Sequence, residues 1–297
     1  MGAMDAFVKT FSLMVEARKL YIPALVFSLI LAPIAAYLLP EPHFDYTPGY
    51  ESHGNVVVEE YGSDINLEDE FLGYLKELAK TAALLTLISF ILGSAAQYAT
   101  TRGALLHYSG ENYRLGELLI DGVKHIPGVV VISLLFMMVS LGMAGIAVIP
   151  MVAGAFFLPA GLILIIIGIL LLVLIMAITT SLSAVAVPLY VDKGRLSAAF
   201  EAFGLTFRNV SSSLAFGFLL WVGIIAVLAV SSPITLVADA VASEEAAKYI
   251  VQFLQAPFNA LMIEFVCVGG VAFYRELQKM EELKKVDEEL KELGIEV

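Results

Sequence analysis

Six unbroken apolar stretches, Leu20 to Leu39, Ala82 to Ala99, Gly128 to Ile149, Ala160 to Val187, Leu214 to Val230 and Tyr249 to Tyr274, limit what this chain can fold into. Crossing about 30 Å of hydrocarbon takes roughly 20 helical residues, and each stretch approaches or exceeds that length. None alternates apolar and polar residues, which excludes the strands of a transmembrane barrel. Composition agrees, with 59% hydrophobic and 15% charged residues, against about a quarter charged in an ordinary soluble domain. The sequence predicts an all-α polytopic membrane protein with six transmembrane helices. Residues 1–275 form a single membrane domain, with an outer loop at 40–80, and residues 276–297 form a charged tail.

The charges between the stretches set an orientation, because Lys and Arg concentrate in cytoplasmic segments. Fourteen of the 17 basic residues fall in alternate segments, from Lys9, Arg18 and Lys19 to Arg275 and the tail, and only Lys76, Lys80 and Lys248 fall in the others. The base-poor segments carry 13 acidic residues. Both termini are therefore expected in the cytoplasm, in a multi-pass arrangement in the cell membrane. The first apolar stretch begins only at Leu20, after Asp5 and Glu16 as well as bases, which fits a retained span better than a cleaved leader. A net charge of -12 with scattered bases argues against a nucleic-acid partner. The single cysteine, Cys267, rules out an intrachain disulfide.

The basic segments share a layout. Arg114 opens a stretch with apolar residues at Leu115, Leu118, Leu119, Val123 and Ile126, and Arg195 opens one with Leu196, Ala199, Phe200, Phe203 and Phe207. Both follow helical spacing, and Phe7, Phe11 and Met14 repeat it more loosely before the first span. Three cytoplasmic interfacial amphipathic helices are predicted, each followed by a span out and a span back, as a threefold parallel repeat would arrange them. Tyr108 before Arg114 and Tyr190 before Arg195 set the register of the last two units. The stretches Arg114 to Lys124 and Arg195 to Arg208, each lying between a returning and an outgoing span, give the chain a layout that resembles the six-helix membrane domain of bacterial membrane-bound glycerophosphodiester phosphodiesterases and of related uncharacterised prokaryotic membrane proteins. The resemblance covers Ala82 to Arg275 and implies a fold and a membrane role; it transfers no catalytic residue, because the hydrolase of those enzymes is a separate soluble domain.

In the outer loop, His43 with Asp45 and Glu51 with His53 form two i, i+2 pairs. They are ligand types for a divalent ion if the loop folds back; a solvated surface is the simpler reading, and no cofactor is expected. Asn66 reads as an N-cap ahead of Glu68, Asp69 and Glu70, where acids complement the helix dipole. The helix it starts is expected to continue into the second span.

One carboxylate, Glu264, lies inside an apolar stretch, 11 residues before Arg275 and so about 16 Å along the helix. A charge there costs on the order of 3 kcal/mol unless it faces protein or water. Gln252, Gln255 and Asn259 form a separate polar stripe on the same span, and Gln97, Thr179, Thr180, Ser181 and Ser183 lie on others. Two readings stay open. Glu264 is a proton or cation site in a polar cavity with Asn259, Gln255 and Gln97, or it is a hydrogen-bonding group that locks helices together. Ser89 with Gly93, Ser140 with Ala144, and Ala256 with Ala260 are four apart and mark expected close helix contacts.

The tail places Leu283, Val286, Leu290 and Leu293 at heptad spacing, with Glu281–Lys285 and Asp287–Lys291 as supporting pairs. It is expected to extend the sixth helix, to pack beneath the interfacial helices, or to pair with a second copy or a protein partner. No nucleophile elbow, Walker loop, HExxH or CxxC occurs. The chain therefore reads as a non-enzymatic membrane component that binds lipid or a partner, with a transporter or channel using the Glu264 region as the alternative.

Overall fold

The computed structural model describes residues 2–38, 67–159, 161–234, 237 and 243–292. Among them are nine α-helices: α1 (Gly2–Glu16), α2 (Tyr21–Leu38), α3 (Leu67–Tyr108), α4 (Leu115–Lys124), α5 (Ile126–Phe156), α6 (Leu162–Lys193), α7 (Glu201–Arg208), α8 (Val210–Ser231) and α9 (Glu244–Glu292). Short 3-10 turns at Arg18–Leu20 and Leu196–Phe200 lead into α2 and α7. No strand occurs among the described residues. His43, Asp45, Glu51, His53 and Asn66 lie outside them, as does Leu293 of the tail stripe.

Six helices, α2, α3, α5, α6, α8 and α9, are long and apolar enough to cross a membrane, and they coincide with the six apolar stretches. Their ends run past the apolar residues. The second span begins at Leu67, as expected, but ends at Tyr108, and α9 continues through Arg275 to Glu292 without a break. At helical rise these two span about 63 and 73 Å. Charged turns extend a helix beyond hydrocarbon because backbone hydrogen bonding continues wherever no breaker stops it. Pro33, Pro150, Pro188 and Pro257 all lie within helices.

The returning helices α3, α6 and α9 touch one another pairwise. Each outgoing helix packs against two of them: α2 against α3 and α9, α5 against α3 and α6, α8 against α6 and α9. The short elements follow the same order. α4 lies on α3 and α2, the Leu196–Phe200 turn lies on α6 and α5, and α1 lies on α9 and α8. The chain thus closes on itself, its first helix sitting on its last two spans.

Burial is concentrated where the inner helices meet, in Ala95 to Leu105 of α3, Ala177 to Tyr190 of α6 and Ala256 to Leu277 of α9. Phe216 of α8 stacks on Phe273 of α9 at 4.1 Å between ring centroids. Away from this zone the long helices carry their largest apolar side chains on the outside: Met138 is 69% exposed and Ile149 65%. A water-soluble surface rarely presents so much contiguous apolar area.

Glycine shapes the fold in two ways. Gly110 and Gly194 take positive φ of 74° and 66° just past the ends of α3 and α6, the left-handed position that closes a helix. At the first, Gly110 N donates to His107 O at 3.0 Å and Glu111 N to Leu106 O at 2.9 Å, the paired bonds of a Schellman motif. Gly270 of α9 acts by smallness: a Cβ there would collide with the backbone carbonyl of Ala184 on α6. Of the small pairs expected at helix contacts, Ala256 and Ala260 are buried, whereas Ser89, Gly93, Ser140 and Ala144 line cavities. Their neighbours do not close over them.

Ion pairs tie the ends nearest the short helices. Lys193 and Arg195 both hold Glu201, the latter at 3.2 Å. The hydrogen bond from Lys193, reinforced by both positive charges, holds the Glu201 carboxyl below the ordinary glutamate range. Glu281 of α9 pairs with Arg208 at 3.2 Å, and Lys284 donates to Asn209 Oδ1 at 2.7 Å. The tail therefore reaches α7, and Glu281 turns to Arg208 instead of Lys285. Leu283 and Val286 of its apolar stripe stay exposed.

Gly270→Leu is expected to push α9 away from α6 and to cost about 1–3 kcal/mol. The measurement is the Tm of the detergent-solubilised protein; an unchanged Tm would mean that the contact is slack.

Candidate functional site

The zone where inner and outer helices separate holds three abutting cavities. One of 370 Å³ lies among α3, α5, α8 and α9, lined by Ser89, Ser94, Gln97, Ser133 and Cys267 with Phe90, Ile224, Met262 and Val266. A second, of 400 Å³, shares Gln97, Ile224 and Val266 with it and extends past Met137, Ser140, Thr179, Thr180 and Ser183 toward α6. A third, of 280 Å³, shares Ser89, Gly93, Met262 and Ile263 with the first and ends at Asn259, Phe27 and Ser28 on the α2 side. The row has space because its α3 wall is built from small side chains: nothing lies within 4 Å of where a Gly93 Cβ would stand.

The lining is apolar with hydroxyls and amides interspersed, and it includes no charged side chain. Several hydroxyls are already turned to their own helix, Ser94 donating to Phe90 O at 2.7 Å and Thr180 to Met176 O at 2.7 Å. Trp221 Nε1 donates to Thr180 Oγ1 at 3.1 Å, bridging α8 to α6. Such groups orient a carbonyl or hydroxyl of a ligand, while the walls bury an apolar body.

Of the residues singled out in the sequence, Gln97 stands where two cavities join and Asn259 at the far end of the third. Thr179, Thr180 and Ser183 line the second, while Ser181 is buried and donates to Ser213 O at 2.5 Å. Gln255 and Glu264 are absent from these walls. Glu264 is 3% exposed, and its Oε1 has no hydrogen-bond partner among the described residues. The Tyr113 phenol, outside the spans, is pushed above its ordinary range, first by burial and then by the Glu264 carboxylate.

An aromatic and ionic layer lies along α3 from the cavities toward α4. Tyr98, next to Gln97, stacks on His125 at 4.1 Å with rings 2° from parallel, and Tyr190 meets both edge-on. Arg102 pairs with Asp121 at 2.6 Å, and His125 Nδ1 donates to Asp121 O at 2.8 Å. Farther along, Tyr274 donates to Asp192 Oδ2 at 2.7 Å and Arg275 Nη2 to Asp192 Oδ1 at 3.2 Å. Sequence reasoning missed this layer. Its signal was one tyrosine near the end of each returning apolar stretch, Tyr98, Tyr190 and Tyr274. Tyr108, the expected counterpart of Tyr190, lies instead beneath Lys9 and Arg275, whose charges sit 5.2 and 5.9 Å from its ring.

The two expected histidine and acid pairs of the outer loop lie outside the described residues. Among those described, no group of three His, Cys, Asp or Glu could hold a metal ion.

A buried carboxyl oxygen without a partner costs about 1–3 kcal/mol. Glu264→Met, similar in size and apolar, is therefore expected to raise the Tm in detergent. A lower Tm would show that the second carboxyl oxygen makes contacts worth more than that cost.

In comparisons with known proteins, no protein-family model, no curated protein and no solved structure matches this chain.

Proposed function

We propose that the chain is a multi-pass membrane protein with both termini in the cytoplasm, acting as a non-enzymatic component that binds the apolar part of a lipid in its central row of cavities. The observation that carries this reading is the character of the walls: three contiguous spaces of 280 to 400 Å³, lined by Met, Ile, Val and Phe with hydroxyls, Gln97 and Asn259. Fixed or hydrated ions need charge or many converging oxygens, whereas a hydrocarbon chain with a carbonyl or hydroxyl needs what these walls offer. The exposed apolar flanks of α5 and α6 fit a lipid surround.

In the same proposal, α1, α4 and α7 are interfacial amphipathic helices, and each begins one of three related units. The cyclic order of contacts, in which α4, the Leu196–Phe200 turn that leads into α7, and α1 each lie on a returning span and the outgoing span paired with it, supports that reading. So does the resemblance to the membrane domain of the glycerophosphodiester phosphodiesterases, which implies the same membrane role. The second reading, a small-solute transporter or channel, draws on the continuity of the row through Gln97 and Ser89.

Lipid binding is tested by filling the row. Gly93→Phe and Ser133→Phe are expected to reduce lipid retained through purification, read by native mass spectrometry, at least severalfold without loss of the folded peak. Retention equal to the parent protein overturns the lipid reading, and solute flux in vesicles that is lost on Gln97→Leu favours the transporter. Orientation is tested with an impermeant thiol reagent, for which buried Cys267 is a silent background. Lys76→Cys is expected to label from outside intact cells and Lys284→Cys only after lysis; the reverse pattern inverts the topology.

A further inference from the structure

The largest of the cavities described, 540 Å³, lies apart from the central row, between the junction of α1 and α2 and the segment that joins α3 to α4. Glu16, Arg18 and Lys19 line one side, and His107, Glu111, Asn112 and Tyr113 the other. The Schellman motif at Gly110 fixes the second side, since it turns the chain sharply and sets Glu111 and Asn112 facing the first. Arg18 is held back over α1 by a bond from its Nε to Val15 O at 3.4 Å, and Glu16 accepts from Ser12 at 2.5 Å.

The informative feature is the placement of charge, with Arg18 and Lys19 on one side of the cavity and Glu111 on the other. Two bases and two acids share one cavity, yet among the described residues neither Arg18 nor Lys19 pairs with Glu16 or Glu111. At the opposite ends of α7, by contrast, Glu201 and Glu281 do find their bases. Opposite charges held apart across a cavity complement a ligand that carries both signs at a matching separation. Phosphate prefers Arg and Lys with neutral donors beside them, and an ammonium prefers a carboxylate.

We propose that this cavity binds an amine-bearing phosphate ester, with Arg18 and Lys19 on the phosphate, Asn112 and Tyr113 as neutral donors, and Glu111 on the ammonium. The ligand is either the headgroup of an aminophospholipid or a free ester of the same chemistry. The lipid source rests on the membrane reading given above, whereas the free ester needs no bilayer.

The experiment uses the full chain, offered an equimolar mixture of phosphatidylethanolamine and phosphatidylglycerol and, separately, O-phosphoethanolamine against inorganic phosphate, with bound species read by native mass spectrometry. The parent protein is expected to favour the amine-bearing lipid by about tenfold, the scale of one charge-assisted hydrogen bond. Glu111→Gln is expected to bring that ratio near one while total binding persists, and Arg18→Gln with Lys19→Gln to lower binding of both lipids. Glu111→Asp, which keeps the charge, should retain the preference and controls for folding. Preference for O-phosphoethanolamine without lipid preference identifies the free ester as the source. A ratio of one or below in the parent protein for both pairs, or a ratio that Glu111→Gln leaves unchanged, overturns the proposal. Gly93→Phe leaves this ratio intact whether or not it empties the central row, so the two sites fail independently.

Discussion

Backbone-to-backbone approach, between inner helices and between an inner and an outer one, governs the rest of the architecture. In hydrocarbon there is no hydrophobic gain from bringing two helices together, so association depends on packing and on interhelical hydrogen bonds. Gly270 against Ala184, and Gly217 of α8 against Ala177 of α6, let main chains touch where any larger side chain would hold them apart. Once α3, α6 and α9 are joined, three grooves remain, and α2, α5 and α8 occupy them. The short elements then each fall on a returning span and the outgoing span paired with it.

The polar side chains are graded along this scaffold. Charged pairs, Arg102 with Asp121, Arg275 with Asp192 and Arg208 with Glu281, collect near the short helices. The aromatic layer of Tyr98, His125 and Tyr190 follows, and beyond it the cavity walls carry hydroxyls and amides and no charge. Glu264 is the exception, a carboxyl buried within the packed bundle and away from the cavity walls. The lipid-binding reading therefore gives it no part in the chamber, in contrast to the polar cavity that Asn259, Gln255 and Gln97 form around it in one of the two readings open from the sequence.

The span count was legible in the sequence because a long apolar run has few other ways to satisfy its backbone. The entry of the Leu67 helix into the second span and the continuation of the tail were legible for a related reason, since no Gly or Pro interrupts Arg275 to Glu292. Which small residues make contacts was not. Ser89 and Gly93 have the same spacing as Ala256 and Ala260, and only the placement of neighbouring helices decides which pair closes an interface and which bounds a void. Ion-pair partners were equally hidden: local spacing offered Lys285 to Glu281, but the approach of α7 brings Arg208 closer. Of the candidate site, Gln97 and Asn259 were found by polarity alone, while the row they line depends on the gap between inner and outer helices.

The uneven burial of the long helices bears on how a guest would enter. Cohesion is gathered at one end, where Tyr274, Phe273 and Leu277 are fully enclosed, whereas toward their joining turn α5 and α6 close on each other, Gly154 against Gly161 and Gly168 against Ala147. Local opening follows the regions with fewest buried contacts, so the α5–α6 pair swings as a unit from the other spans at low cost while the knot stays tied. Access from the side, between this pair and the remaining helices, then requires no global unfolding.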